Sequence, residues 1–383
     1  MKILILIHSL RRSGAERVAL EIALGLKNNG HDIYILMWVG VNEYQDARYS
    51  NIDIGEIVSS EEYSWPWSIP KSAIKLHEKV RAFNPDIIQI HSPNCFLLCA
   101  WANLRLPAIH VIHGYSMITN KADTYKDKIK HIINIIADRV VKPKYITVAE
   151  PMIKHTKAYF RLPNNTCQYI YNGVDLEEYK PSERRLDETL IFLMIGTLQS
   201  EKGHIFGIEA FIKILIKFPD AILKIVGDGD ERPKLEALVK SNGLECKVDF
   251  LGIRNDIPEI LQSANVLLHM SDKEAMPMVI IEAMATGLPV IGFNVPGVRD
   301  TVSNNETGYL IHYGDVDQVA QVACNLLQDF FLYGNMSIKA YERTQDLFGL
   351  EKMIDNHESA LFETIRTNKN KLDCNNSGGI NFR

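Results

Sequence analysis

T-L-I-F-L-M-I-G, residues 189–196, reads as a core strand that starts a pattern for the second time. Downstream, helix-period stretches (205–217, 233–241, 257–263) alternate with the apolar runs L-K-I-V-G (223–227), V-D-F-L-G (248–252), V-L-L-H-M (266–270) and P-V-I-G-F (289–293). Upstream the same alternation is already complete once. K-I-L-I-L-I (2–7), D-I-Y-I-L-M (32–37), D-I-I-Q-I-H (86–91), A-I-H-V-I-H (108–113) and Y-I-T-V-A (145–149) are strand-like, with helical stretches such as 15–27 and 71–83 between them. Near-continuous Val/Ile/Leu strands joined by helices indicate parallel sheets covered on both faces. The expected fold class is therefore α/β: two Rossmann-like, doubly wound parallel-sheet domains facing across a cleft. Residues 1–183 form the first and 184–349 the second. The polar, proline-containing Y-K-P-S-E-R-R-L-D-E (179–188) is the expected linker. A helix at about 350–366 is expected to pack back on the first domain, with 367–383 a disordered tail.

Composition fits a soluble globular chain, with 46% hydrophobic and 23% charged residues. The longest apolar runs, Ile3 to Ile7 and Cys95 to Ala102, fall well short of the ~20 residues that span a bilayer. M-K-I-L-I-L-I-H lacks a small-residue cleavage site and reads as a core strand, not a signal peptide. Six cysteines show no disulfide or zinc spacing, which suits reduced thiols and a cytoplasmic setting. The net charge is −5, with a basic surplus concentrated in 121–144. There Ile129, Ile132, Ile133, Ile136 and Val140 recur at helical spacing. Such a helix can lie on an anionic membrane, but base rates favour its apolar side packing on the core. Nothing calls for nucleic acid.

Ligands of doubly wound sheets bind at the carboxyl ends of strands, so the strand-exit loops carry the functional candidates. Gly14, in H-S-L-R-R-S-G-A-E-R (8–17), precedes a helix whose N–H groups favour anions. The stretch lacks G-x-G-x-x-G, so the nicotinamide fingerprint is missing. In G-T-L-Q-S-E-K-G (196–203), Lys202 can offer a point charge to a phosphate. G-D-G-D-E-R-P (227–233) contains D-x-D, a string found in metal sites, yet its acids before Pro233 suit a helix start equally well. E-A-M-P-M-V-I-I-E-A (274–283) places Glu274 ahead of a helix that Pro277 would open, and Glu282 inside it. Either both carboxylates reach solvent or both have polar partners. First-turn N–H groups of Met278 and Val279 make an anion cradle, and an ionised carboxylate accepts from two adjacent hydroxyls. A ligand with hydroxyls at both ends and phosphates between them fits that layout.

Taken in order, these stretches resemble glycosyltransferase family 4, retaining enzymes of the GT-B fold. The likeness rests on G-A-E-R (14–17), H-G (113–114), N-G-V-D (172–175), the G-x-L-x-x-x-K-G frame (196–203) and G-D-G (227–229). It continues through F-L-G-I-R-N-D-I-P (250–258), the E-x7-E spacing of Glu274 and Glu282, and E-A-M-A-T-G-L-P-V-I (282–291), and spans about residues 1–365. The resemblance implies that Gly14 approaches the diphosphate of a nucleotide-sugar donor and that Lys202 pairs with it. Glu274 would hold donor-sugar hydroxyls, with Ala275, Met276, Met278 and Val279 binding sugar and phosphate. Glu282 would hold the ribose diol, His113 would contact the sugar near its reacting carbon, and the loop at Ile253 and Arg254 would flank the base. Thr197 stands where the family usually has arginine, leaving Lys202, Arg254 or Arg11 to carry more of the phosphate charge. The D-x-D string falls at the family's G-D-G, which argues against a catalytic metal or any cofactor beyond the nucleotide sugar.

The expected activity is a metal-independent, anomer-retaining hexosyl or N-acetylhexosaminyl transfer, with a UDP-sugar as default donor. A saccharide acceptor, lipid-linked at the cytoplasmic membrane face, fits the basic stretch and surface polysaccharide biosynthesis. Tyr63, Trp65 and Trp67 could stack on a sugar or be loop packing. A nucleotide-sugar epimerase of similar two-domain fold and a non-catalytic sugar-binding assembly subunit are the alternatives.

Overall fold

The computed structural model describes residues 1–44, 46–64, 66–118, 125–163 and 166–377. The chain forms two compact units, Met1–Tyr171 with the chain from Glu351 onward, and Asn172–Leu350. The first holds seven strands: β1 (Lys2–Ile7), β2 (Asp32–Gly40), β3 (Asp53–Ser59), β4 (Ile87–Ile90), β5 (Ala108–Ile112), β6 (Lys144–Thr147) and β7 (Cys167–Tyr169). The second holds six: β8 (Ile191–Ile195), β9 (Ile222–Val226), β10 (Val248–Gly252), β11 (Val266–His269), β12 (Val290–Phe293) and β13 (Gly308–Ile311). Spatial order is β3-β2-β1-β4-β5-β6-β7 in one sheet and β10-β9-β8-β11-β12-β13 in the other. Neighbouring strands run parallel, as runs buried on both faces require. β1, β8 and β11 are almost entirely aliphatic, and their side chains form the centre of each core.

In each sheet the strand order reverses once, between β1 and β4 and between β8 and β11. Helices following strands on either side of a reversal leave in opposite directions, so the two exit loops border a crevice. β8 and β11 are in register at Phe192–Val266 and Leu193–Leu267, which sets the loops after Ile195 and His269 side by side.

The chain changes unit earlier than the sequence suggests, after Tyr171 rather than after residue 183. The polar segment 179–188 is not a free linker. Tyr179 is buried, and Arg184 is bound within the second unit. Its Nε donates to Ala264 O at 2.8 Å and its Nη1 to Thr286 O at 2.7 Å. Those carbonyls lie just past the helices Ile257–Ser263 and Met278–Ala285, where free C=O groups and the dipole favour a cation. Polarity thus marks a helix-end clamp here, not solvent exposure.

The last helix runs Leu350–Ser377, continuing through residues assigned from sequence to a disordered tail; residues 378–383 lie outside the described part. It belongs with the first unit: Glu358 bonds His31 at 2.6 Å, Lys144 bonds Glu363 at 2.8 Å, and Gln89 bonds His357 at 3.0 Å.

The basic helix Tyr125–Val141 departs from the expected packing. Asn134, Ala137 and Val141 face inward, with Asn134 Nδ2 donating to the Tyr159 hydroxyl at 2.8 Å. The isoleucine row points out instead. Ile129, Ile132, Ile133, Ile136 and Val140 are 41% to 57% exposed, while Asn134, Ala137 and Val141 are the buried positions. Lys121 lies outside the described residues. Among the described residues no helix is long and apolar enough to cross a membrane, and the described cysteines form no disulfide.

Candidate active site

Lys202 and Glu274 come together at the β8/β11 reversal. The loop after β8 ends in a single turn, Ser200–Lys202, and Gly203 hands the chain to the helix His204–Ile214. The loop after β11 carries Glu274 and ends at the helix Met278–Ala285. Asp272 N donates to Glu201 O at 2.9 Å, tying one loop to the other. Lys202 Nζ then meets Glu274 Oε1 at 2.7 Å, and His269 Nε2 meets the same oxygen at 3.1 Å. The Glu274 side chain is 11% exposed and that of Lys202 29%. Burial works against ionisation of Glu274, but the hydrogen bond from His269 and the charge of Lys202 outweigh it and take the carboxyl down to about 2. Glu274 is therefore an anion throughout the neutral range, with Oε1 held and the carboxylate's remaining lone pairs available to hydroxyls.

His204, behind Lys202, is buried, and burial followed by the charges of His269 and Lys202 lowers it to about 4. It stays neutral, so it adds no competing cation.

The Glu274 loop leads into a helix that starts at Met278, one residue later than expected, with Pro277 as its cap. Proline has no N–H, and Ile280 N–H returns to Pro277 O at 3.1 Å. Met278 and Val279 amides are the first-turn donors that lack an intrahelical acceptor. Ala275 and Met276 are buried, and Met276 Sδ accepts from Asn172 N–H at 3.1 Å, which packs N-G-V-D against this loop. Glu282 is 5% exposed within the helix. So neither carboxylate of the E-x7-E pair is solvated freely, and for Glu274 the polar partners are Lys202 and His269.

The other candidates are placed differently. Thr197 is exposed on the same loop as Lys202. Arg254 is turned onto Asp256, with Nε–Oδ1 at 2.8 Å and Nη2–Oδ2 at 2.5 Å. Gly14 opens the helix Gly14–Asn28 after β1, and His113 follows β5; both belong to the first unit. Tyr63 packs edge-on against Trp38 and His8, the loop-packing alternative, whereas Trp67 is 83% exposed and Trp65 lies outside the described residues.

The G-D-G segment supports the Lys202 loop. Gly196 N–H donates to Val226 O at 3.0 Å, Leu198 N–H to Asp228 O at 3.0 Å, and Glu231 N–H to Leu198 O at 2.9 Å. At Gly227, with φ +131°, an added Cβ would lie 1.9 Å from Gly196 O. Asp228 meanwhile bonds Gly229 N–H at 2.8 Å and Arg232 at 3.2 Å, as a helix-start acid does. Among the described residues no group of three His, Cys, Asp or Glu side chains gathers as a metal-ligand set.

Sequence reasoning missed two histidine features. His269, the last residue of β11, is the second partner of Glu274; its signal is a lone polar residue at a strand's carboxyl end. In the first unit His91, His110, His113 and His357 are gathered around the ends of β4 and β5. Burial lowers His113 to about 4 and His110 and His357 to about 3. Of the four, only His113 was named from the sequence; His91 and His110 stood unremarked in strand-like runs.

Two family models cover most of the chain: Glycosyltransferase Family 4 matches residues 12–178, and Glycosyl transferases group 1 matches 175–343. The chain is 29% identical over 377 residues to N-acetyl-alpha-D-glucosaminyl L-malate synthase of Bacillus anthracis, covering 93% of this chain and 96% of that one. It is 28% identical over 320 residues to the UDP-Gal:alpha-D-GlcNAc-diphosphoundecaprenol alpha-1,3-galactosyltransferase of Escherichia coli, covering 77% and 80%. Among solved structures it resembles Anabaena HepE in complex with UDP, with a TM-score of 0.79 at 20% identity over 95% of this chain and 100% of that one.

Proposed function

The chain belongs to glycosyltransferase family 4, and from that premise we propose that it moves a hexosyl or N-acetylhexosaminyl unit from a UDP-sugar to a lipid-linked saccharide in surface polysaccharide biosynthesis. Transfer retains the anomeric configuration and needs no metal. The observation that carries this reading is the 2.7 Å pairing of Lys202 with Glu274 at the strand reversal of the second unit. It sets a cation for phosphate beside an ionised hydroxyl acceptor, the two chemistries that a nucleotide sugar presents next to each other. Lys202 and the Met278 and Val279 amides would take the charge that builds on the leaving diphosphate, an electrostatic role prepared before the bond breaks. Glu274 holds sugar hydroxyls and is not a nucleophile; the leaving phosphate accepts the acceptor's proton during same-face attack. Glu282 would hold the ribose, and Gly14 and His113 keep the contacts that the resemblance implies. Support for the donor comes from the HepE structure with UDP and from the E. coli relative, whose name gives a UDP-sugar donor and a diphosphoundecaprenol acceptor.

A thermal-shift panel of UDP- and GDP-sugars tests the reading. We expect a UDP-sugar to raise Tm and Lys202→Ala to weaken its affinity by roughly tenfold or more, as loss of a charged phosphate contact does. Unchanged affinity in the variant would remove the role given to Lys202.

Peripheral attachment at the inner membrane face is the second part of the proposal, and the exposed isoleucine row of Tyr125–Val141 favours it. Lys128, Arg139 and Lys142 flank that row, so apolar insertion and attraction to anionic lipid would act together. In flotation with anionic vesicles the chain is expected to rise with the lipid, and the double variant Ile132→Asp, Ile136→Asp to stay behind. A wild-type chain that remains below the vesicles would refute the attachment.

A further inference from the structure

His91 follows β4 directly, anchored by its N–H to Leu6 O at 2.9 Å, and His113 follows β5 directly. Their rings are joined: His91 Nδ1 and His113 Nε2 lie 2.9 Å apart. His91 is 4% exposed, and its Nε2 is buried with no hydrogen-bond partner among the described residues. His113 is half-buried, and its bond to His91 uses Nε2. Burial keeps both rings neutral at neutral pH, so each carries one ring proton.

A bond between two neutral imidazoles needs one hydrogen between the facing nitrogens, and the two ways of supplying it differ in cost. If His113 donated, the His91 proton would sit on Nε2, leaving a buried N–H without an acceptor, a feature that folded proteins rarely tolerate. If His91 donates, the buried orphan is a lone pair, and the His113 proton is forced to Nδ1. The bond that one ring nitrogen makes decides where the other's proton lies. We propose that His91 is a positioning residue, whose Nδ1–H donates to His113 Nε2 and fixes the His113 proton on Nδ1, the nitrogen free for a ligand. His113 then meets a sugar oxygen as a hydrogen-bond donor and cannot act there as a base. The proposal rests on the reading that His113 contacts the donor sugar.

Ring-nitrogen NMR of histidine-labelled protein, with a His113→Ala sample to assign the signals, reads the proton's place without any turnover. We expect wild-type His113 to be protonated on Nδ1. His91→Asp, whose carboxylate can only accept, should draw the proton to Nε2 and lower kcat on the order of tenfold, as loss of the right partner behind a working imidazole does, with UDP affinity unchanged. His91→Asn, whose amide N–H can take the place of Nδ1–H, should restore both the tautomer and the rate. A wild-type His113 protonated on Nε2 would overturn the proposal while leaving the sugar contact intact. Full transfer by His113→Ala would instead remove the sugar contact and the purpose of the positioning together.

Discussion

Glu274→Ala is expected to lower transfer by on the order of 1,000-fold or more while the chain stays folded, the scale seen when a preorganised polar contact to a transition state is removed. The residue is well placed to matter, because its carboxylate is ionised, held at Oε1 by Lys202 and His269, and carried by a loop at the strand reversal. Loss of the side chain leaves Lys202 with a route to water, since that side chain is 29% exposed. The buried His269 loses its partner as well, so the stability cost should be roughly 1–3 kcal/mol. A second readout separates charge from shape. The folded carboxyl lies near 2, below its unfolded value of 4.5, so it contributes stability that is present above 4.5 and lost as pH falls toward 2. Glu274→Gln should flatten that part of the acid limb and still fail in transfer. Retained turnover in a folded Glu274→Ala protein would contradict the assigned role.

Gly203→Ala is expected to be among the most damaging single-carbon changes in the second unit. Gly203 has φ +65°, and an added Cβ would sit 2.0 Å from Met270 O and 2.9 Å from Met270 C. Those are backbone atoms of the loop that carries Glu274, so neither side can step back without separating Lys202 from its partner. Strain in the left-handed region adds about 1 kcal/mol. Together we expect a loss of roughly 2–4 kcal/mol in urea unfolding, within the range of steric changes at special backbone positions, and loss of the UDP-sugar thermal shift. Gly243→Ala is the matched control: φ is +66°, and nothing lies within 4 Å of the added carbon. It should show the backbone cost alone. Equal behaviour of the two variants would mean that the close approach to Met270 is unimportant.

The sheets were legible because a parallel strand buried on both faces leaves an unmistakable aliphatic run, and β1, β8 and β11 are such runs. Lys202 and Glu274 were legible as strand-exit residues before helices, and their order along the chain supplied the family. What the sequence hid was partnership. Nothing in V-L-L-H-M shows that His269 turns toward a glutamate five residues on, because that depends on how the loop folds back. Arg184 looked like linker because polarity signals water unless carbonyls at helix ends are there to meet it. The isoleucine row of Tyr125–Val141 had the periodicity of a buried face, and periodicity cannot say whether a helix turns its apolar stripe toward the core or away from it. Arg254, one of the residues offered to compensate for Thr197, bonds Asp256 in this structure.

Calorimetric titration of UDP and of its cognate UDP-sugar, each against wild type and Glu274→Ala, tests most directly whether this site grips a nucleotide sugar. UDP has no hexose for Glu274 to hold, so its affinity should be the same in both proteins, whereas the UDP-sugar should lose its advantage over UDP only in the variant. An equal loss of affinity for both ligands, or no loss for either, would contradict the placement of the donor sugar on Glu274.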